Sequence, residues 1–543
     1  MSRPDTSGFR GLFLPVLSGL LLALAYPPAD LGPLAFLALV PLLLSLRAAR
    51  RGAALLRGYA CGAAFFFVLL DWIPRVMVLY GGLSWPLGIL ILALLVAYLA
   101  GYFALFAFIV AAACRRHGPQ GLLMAPIAWV GLEFIRGRAL TGFPWGLLGY
   151  SQYRNLALLQ AATLGGIYAV SFLVMALNTA LALLATRPAP VRARAAGLLS
   201  LLLVVAVHAG GAVALWRGER ALASGGERIT VAAVQGNVPQ DSKWDPAAAT
   251  RIVTDLVRLT REAARGGASL VVWPESASPY SFNRPRRVRA GETEPAREAG
   301  GLVVEPDRPY VDLVTGLAHD LGITLIAGSV DYRVAGGRLG ATNSAFAVAP
   351  DGSISAPYDK VHLVPFGEYV PLRGVLFFVD RLVRGAIADF APGTSLAPLP
   401  TPMGPAATFI CYEAILPDVV RPIVRRGAVL LVNITNDGWY GRSPGPPQHL
   451  AMAVARAVEN RRYLVRAANT GISAIVDPYG RITRRTRLLE QTVLVGVVAP
   501  RSDVTPYGRS GDLLAWGCAI LLLLDAALRA ASSRLGGRSP ARE

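Results

Sequence analysis

Seven apolar stretches fill the first 216 residues, near 11–26, 31–46, 55–80, 86–113, 119–135, 157–186 and 196–216, and an eighth lies near 511–530. No other feature limits the fold as much. A bilayer-spanning helix needs about 20 apolar residues, so the pattern reads as a polytopic helical bundle of about eight helices. The first two stretches are short and joined by Tyr26-Pro27-Pro28, which predicts a tilted or partly inserted hairpin. Six more apolar stretches follow the first, and no small-residue cleavage site is evident, so the first is read as retained rather than as a signal peptide. Charged residues make up only 16% of the chain, against roughly a quarter in soluble proteins. An ordinary soluble enzyme, a disordered chain and a disulfide scaffold are all excluded.

Arginine sets the expected topology. Arg3 and Arg10 precede the first stretch, and Arg47, Arg50, Arg51 and Arg57 follow the second. Arg115 and Arg116 follow the fourth, Arg187, Arg192 and Arg194 the sixth, and Arg529, Arg534, Arg538 and Arg542 the eighth. Every second connection is basic. Eight spans with both termini in the cytoplasm satisfy that pattern and put the long polar segment on the far side of the cytoplasmic membrane. Arg136, Arg138 and Arg154 interrupt the alternation, so their loop is expected to be structured. Residues 1–216 hold 15 Arg and four acids, a large part of the net +19. Excess charge beside apolar segments favours membrane topology over nucleic acid as its cause. The expected organisation is a membrane bundle at 1–216, a polar catalytic domain at 217–500, and a last membrane helix with a basic tail at 501–543.

Between about 227 and 500 the rhythm changes. Short β-branched runs occur at Ile229–Val234, Leu270–Trp273, Ile323–Ala327, Ala345–Val348, Ala407–Ile410, Val429–Asn433 and Ile472–Val476. Amphipathic stretches near 246–264, 309–321, 416–426 and 448–462 alternate with them. Continuous apolar strands between helices predict a layered α/β domain with a buried sheet. Residues 281–308, rich in Arg, Glu, Gly and Pro, break the rhythm and read as a long mobile loop.

Three segments place a reactive side chain where α/β sheets put their sites, just past a strand's C-terminal end. They are Val271-Val272-Trp273-Pro274-Glu275, the stretch from Lys360 through Pro365-Phe366-Gly367-Glu368, and Thr408-Phe409-Ile410-Cys411-Tyr412-Glu413. Together they offer a nucleophile, a base and a cation. A thiol reacts as its thiolate, a nearby carboxylate can take the proton, and an ammonium stabilises the thiolate and a developing oxyanion. Attack by such a sulfur on an acyl group gives a thioester. Cys411 is the one cysteine of the polar half, so that half forms no internal disulfide. Of 53 basic residues only Lys243 and Lys360 are lysine, which hints at a need that Arg does not meet. Lys243 itself reads as a solvated charge. No Cys–His arrangement is obvious, since His319 and His449 sit in helical patterns.

Trp-Pro-Glu, then Lys…His-Leu-Val-Pro-Phe-Gly-Glu, then Cys-Tyr-Glu resembles the nitrilase, or carbon–nitrogen hydrolase, superfamily. The helical frame resembles its membrane-embedded branch, the apolipoprotein N-acyltransferases. That likeness implies a nitrilase-like α-β-β-α sandwich. Glu275 matches the general base, Lys360 the oxyanion-stabilising lysine and Cys411 the nucleophile. Glu368 matches a second essential glutamate, and Tyr412, Glu413 and Asn343 match supporting positions. The loop tryptophan Trp244, in Lys243-Trp244-Asp245 after Val234–Gln240, is similar to a branch feature. So are Thr435–Gly441 with Trp439, Gln448-His449, and Thr141–Trp145 with Gly149–Gln152, which carry Trp145 and Tyr150. Trp244, Trp439, Trp145 and Tyr150 are therefore candidates for substrate contact or a lid. Glu133 and Arg136 read as a structural pair at i,i+3. Tyr440 and Pro446-Pro447 depart from the expected pattern, and 284–308 is expanded.

The likeness implies acyl transfer from a phospholipid, with phosphatidylethanolamine the expected donor, to the α-amine of a diacylglyceryl-cysteine at an apolipoprotein N-terminus. It implies no metal, no cofactor, a monomer and a home in the bacterial inner membrane with the catalytic domain on the periplasmic side. Two rivals stay open: a membrane-anchored amidase that uses water as acceptor, and a non-enzymatic scaffold or transporter.

Overall fold

A computed structural model describes residues 11–187, 190–224, 226–287, 302–335, 338–370 and 390–536. The chain forms two compact units, one of 1–71, 89–217 and 509–543, the other of 72–88 and 218–508.

The first unit is helical. Among the described residues four helical runs are long and apolar enough to cross a membrane: Arg51–Leu69, Trp85–Arg136, Ala162–Ala185 and Val191–Ala223. This is a membrane helical region of at least four candidate spans. Three expectations change in detail. The stretch near 55–80 splits, with one helix at Arg51–Leu69 and a separate short one at Ile73–Leu79 whose second residue is Pro74. The two stretches between 86 and 135 are one 52-residue run, joined by a 3₁₀ turn at Gly118–Leu123 with Pro119 at its start. The first two stretches are short helices, Phe13–Ala23 and Val40–Leu46, the latter preceded by a 3₁₀ turn at Gly32–Phe36. Another apolar helix, Leu513–Gly536, belongs to the C-terminal stretch.

Within this unit, Glu133 and Arg136 both reach the loop that follows them. Glu133 Oε1 accepts from Leu148 N at 2.6 Å, and Arg136 Nη1 donates to the carbonyls of Phe143 and Trp145 at 3.1 and 2.8 Å. Tyr26 donates its hydroxyl to Leu147 O at 3.0 Å. The loop is structured, as its arginines suggest, and Trp145 and Tyr150 are buried in it.

The second unit carries two sheets. One has the order β13-β1-β2-β5-β6-β7, the other β12-β11-β10-β9-β8. The strands of the first are β1 (Ile229–Gln235), β2 (Leu270–Val272), β5 (Thr324–Ala335), β6 (Arg338–Val348), β7 (Tyr358–Asp359) and β13 (Thr492–Val498). Those of the second are β8 (Ala406–Ile410), β9 (Leu430–Thr435), β10 (Leu464–Ala468), β11 (Ala474–Val476) and β12 (Ile482–Arg485). In each sheet three neighbouring strands run parallel, β1-β2-β5 and β8-β9-β10. Parallel strands covered on both faces are apolar almost throughout, and every residue of β2, β8, β9 and β10 is buried.

The sheets face each other through β1 and β10 and through β6 and β8. Helices Pro246–Arg265 and Arg308–Leu321 cover the first sheet with a core that includes Ile252, Leu256, Val314 and Trp273. Helix Pro417–Arg425 lies against β8 of the second sheet, and helix Gly445–Asn460 packs beside it and meets β10 through His449 and Arg466. The layers are α-β-β-α. Asp245 opens the first helix by accepting from Ala247 N, with Pro246 at the first turn. Gly322, at φ +63°, ends the second.

The segment read as a mobile loop is in part a β-ribbon. β3 (Asn283–Arg287) pairs antiparallel with β4 (Leu302–Pro306), and Arg284 and Arg286 both contact Glu305. The remainder of that segment, 288–301, lies outside the described residues.

Candidate active site

Each reactive segment ends a strand, and the two sheets bring those ends together. Glu275 lies three residues past β2, Lys360 directly follows β7, and Cys411 directly follows β8. Cys411 holds a left-handed φ of +51° at the junction of β8 with a 3₁₀ turn, Cys411–Ile415. A non-glycine residue there is strained, and such strain collects at functional sites.

Glu413 holds this turn. Its Oε2 accepts from Ile410 N at 2.7 Å and from the Tyr358 hydroxyl at 3.0 Å. Its Oε1 accepts from Val361 N and His362 N at 2.8 and 3.1 Å. One buried carboxylate thus fixes the cysteine turn to the lysine loop. Burial raises it to about 7, against the pull of those N–H groups and of Lys360.

Lys360 sits between two carboxylates. Its Nζ is 2.9 Å from Glu368 Oε1 and 3.7 Å from Glu275 Oε1. Asn343 Nδ2 donates to both, at 2.6 Å to Glu275 Oε1 and 3.0 Å to Glu368 Oε1. Asn436 N donates to Glu275 Oε2 at 2.7 Å, and Val364 N to Glu368 Oε2 at 2.8 Å. Burial works against the Lys360 ammonium, but Glu368 and Glu275 outweigh it and hold it above the usual lysine range. The thiol of Cys411 is pushed well up by burial and further by Glu275, while Lys360 opposes. In this resting state the sulfur keeps its proton.

Phe366 has φ +62°, and this turn folds Glu368 back toward Lys360, with Glu368 N bonded to Val364 O. Trp244 and Trp439 are both exposed. Trp439 meets Tyr80 edge to face at 5.4 Å, and Tyr80 donates its hydroxyl to Gly438 O at 3.0 Å. Trp72 likewise meets Tyr440 and donates to Gln448. Trp145 and Tyr150 belong to the first unit. Tyr412 is buried, with its ring stacked near that of His362. No group of three or more His, Cys, Asp or Glu that could hold a metal occurs among the described residues.

Residues 230–507 match the carbon–nitrogen hydrolase family, and residues 18–180 match the apolipoprotein N-acyltransferase N-terminal domain. The apolipoprotein N-acyltransferase of Geobacter metallireducens is 41% identical over 528 residues, 96% of this chain and 95% of that protein. This chain belongs to the apolipoprotein N-acyltransferase family. The namesakes from Azotobacter vinelandii and Pseudomonas aeruginosa are 39% and 35% identical, covering 97% and 99% of the chain and 96% and 99% of their own length. Among solved structures, the C. elegans NitFhit protein covers 50% of this chain and 61% of its own at 20% identity, with a TM-score of 0.38.

Two features of this apolipoprotein N-acyltransferase family member escaped the sequence reading. Lys243 is not solvated. It is only 2% exposed and donates to the Glu275 carbonyl at 3.0 Å. A histidine also reaches the cysteine, through the backbone. His449 Nε2 lies 3.0 Å from Cys411 O and its Nδ1 lies 3.0 Å from Asp437 Oδ1. Arg466, on β10, closes the network by donating to Asp437 Oδ2 at 2.8 Å and also bonds Asn433. Helical spacing put His449 on a helix but gave no sign that the helix starts beside the turn.

Burial alone would raise the Asp437 carboxyl, but Arg466 and His449 outweigh it and bring it to about 2. Its folded value lies below the ordinary aspartate value near 3.9. The stability it contributes is therefore present above about pH 4 and is lost as pH falls toward 2. Asp437→Asn leaves Arg466 uncompensated in the core and should cost about 3–5 kcal/mol. Thermal melts at neutral pH should show this loss, and the variant should show a smaller further drop between pH 4 and 2 than the native protein.

Proposed function

We propose that this chain transfers a fatty acyl group from a membrane phospholipid, through a thioester on Cys411, to the α-amine of a diacylglyceryl-cysteine at the N-terminus of an apolipoprotein. It is an N-acyltransferase of lipoprotein maturation. The observation that carries the mechanism is the convergence of Glu275, Lys360 and Cys411 from three strand ends, with Lys360 Nζ 3.7 Å from Glu275 Oε1.

In the first half-reaction Glu275 takes the thiol proton, and the sulfur attacks the ester carbonyl. Charge develops on the carbonyl oxygen, and the Lys360 ammonium with backbone N–H groups near Cys411 holds it. The tetrahedral adduct collapses, the proton on Glu275 passes to the departing oxygen, and a lysophospholipid leaves. In the second half the neutral α-amine attacks the thioester. Glu275 accepts the amine proton, the C–S bond breaks, and the thiol is restored. Glu368 and Asn343 keep Lys360 and Glu275 aligned throughout. No metal or nucleotide takes part.

The donor is insoluble, so tethering the site to the bilayer brings it to its substrate. We place the chain in the bacterial inner membrane as a monomer of eight spans. Residues 1–216 and 501–543 form the membrane part, and residues 217–500 act on the periplasmic side. Phosphatidylethanolamine is the proposed donor. Trp244 and Trp439 are proposed to touch substrate or to shield the thioester from water, and Trp145 and Tyr150 to shape the approach.

In phospholipid vesicles with a diacylglyceryl-cysteine peptide, the protein should yield peptide bearing one more acyl chain and an equal amount of lysophospholipid. Release of amine from simple amides, with no need for lipid, would instead establish the amidase.

A further inference from the structure

Among 53 basic residues the chain has two lysines, and both meet at Glu275. Lys360 faces its carboxylate, and Lys243 donates to its backbone carbonyl. The second lysine is as buried as the first, although an ammonium away from water is costly unless opposite charge compensates it.

A count of charge shows what that compensation is. Glu275 and Glu368 are two carboxylates against the single ammonium of Lys360. Asp437, which also bears on Cys411, is matched by Arg466. Glu413 is satisfied by four donors and held to about 7 by burial, and His362 is kept neutral by burial and by Lys360. Tyr440, beside Cys411, stays protonated because burial above all raises it. His449, behind Cys411, is lowered by burial and by Arg466. The cluster of Glu275, Glu368 and Lys360 would thus carry one net negative charge, which opposes formation of a thiolate beside it.

We propose that Lys243 is the fourth member of the reactive cluster, a positioning residue that fixes the Glu275 peptide and supplies the positive charge that makes thiolate formation at Cys411 possible. Burial lowers it to about 8, while the charges of Glu275 and Cys411 pull the other way, so its ammonium is coupled electrostatically to both groups that exchange the proton. Lysine suits the place because its compact ammonium meets the single Glu275 carbonyl as a point charge, a contact that does not call for a planar guanidinium fork. Trp244, the next residue, has its ring 5.9 Å from the ammonium.

This proposal rests on Cys411 as nucleophile. It is tested by the rate at which iodoacetamide alkylates Cys411 between pH 6 and 9, read at peptide level in detergent-solubilised full-length protein. Lys243→Met keeps the bulk and removes the charge, and should slow alkylation at neutral pH at least fivefold. Adding Glu368→Gln removes one negative charge and should bring the rate back to within about twofold of native. A purely structural role for Lys243 would not produce that recovery. A single variant within twofold of native, or a double variant no faster than the single, would overturn the proposal. If Lys243→Met loses its thermal transition, Lys243→Gln carries the same comparison. Failure of the underlying nucleophile reading would show separately, as native protein that takes up no acyl group on Cys411 from phospholipid.

Discussion

Cys411→Ala should lose N-acylation by at least about a thousandfold, the scale on which removal of a covalent nucleophile is felt, while keeping its fold. The sulfur is the one group that can carry the acyl chain between donor and acceptor, and no neighbour replaces it. The turn itself should survive. Glu413 holds it by four hydrogen bonds that do not involve the thiol. Removing one sulfur from a site already strained at φ +51° adds no bulk. The check is mass spectrometry of lipoprotein from membranes that carry only the variant, paired with a thermal melt. A variant that melts like native protein and still makes triacylated product at more than 1% of the native rate would refute the nucleophile.

Lys360→Met should lower the rate of acyl-enzyme formation by about 10²–10³, the cost of removing one oxyanion donor. The loss should lie in kcat more than KM, because the ammonium matters most where charge develops. Its surroundings add to the effect. Without the ammonium, Glu275 and Glu368 share only the amide of Asn343 between them, and two buried carboxylates so placed repel. Lys360→Arg should not restore the rate, since Nζ is enclosed at 2.9 Å from Glu368 and a planar fork cannot occupy the same point. Single-turnover kinetics with a phospholipid donor separates the two contributions. A Met variant within threefold of native would remove Lys360 from the chemistry.

Much of the catalytic layer was legible because its signals are local. An apolar strand followed by Glu275 or Cys411 is contiguous in sequence, and the helices at Pro246–Arg265 and Arg308–Leu321 follow the amphipathic stretches expected there. What stayed hidden depends on pairing at a distance. β10 was missed since Arg466 in its middle reads as a surface residue, yet its guanidinium is buried against Asp437 and Asn433. Lys243 looked solvated because it stands in a polar loop beside Asp241, Ser242 and Asp245. Only folding brings that loop over the Glu275 carbonyl. The grouping of 72–88 with the catalytic unit was likewise invisible. Trp72 and Tyr80 end an apolar stretch, and hydropathy does not register that they reach Gln448 and Gly438. Residues 281–308 read as loop from composition, but 283–287 pair residue for residue with 302–306 as β3 and β4, with Arg284 and Arg286 on Glu305.

The most direct measurement weighs the intact protein after incubation with phospholipid of one acyl length. The expected result is a mass gain of one fatty-acyl group that maps to Cys411, that hydroxylamine removes, that a diacylglyceryl-cysteine peptide discharges, and that Cys411→Ser does not form. Product peptide appearing while Cys411 never carries acyl would contradict it.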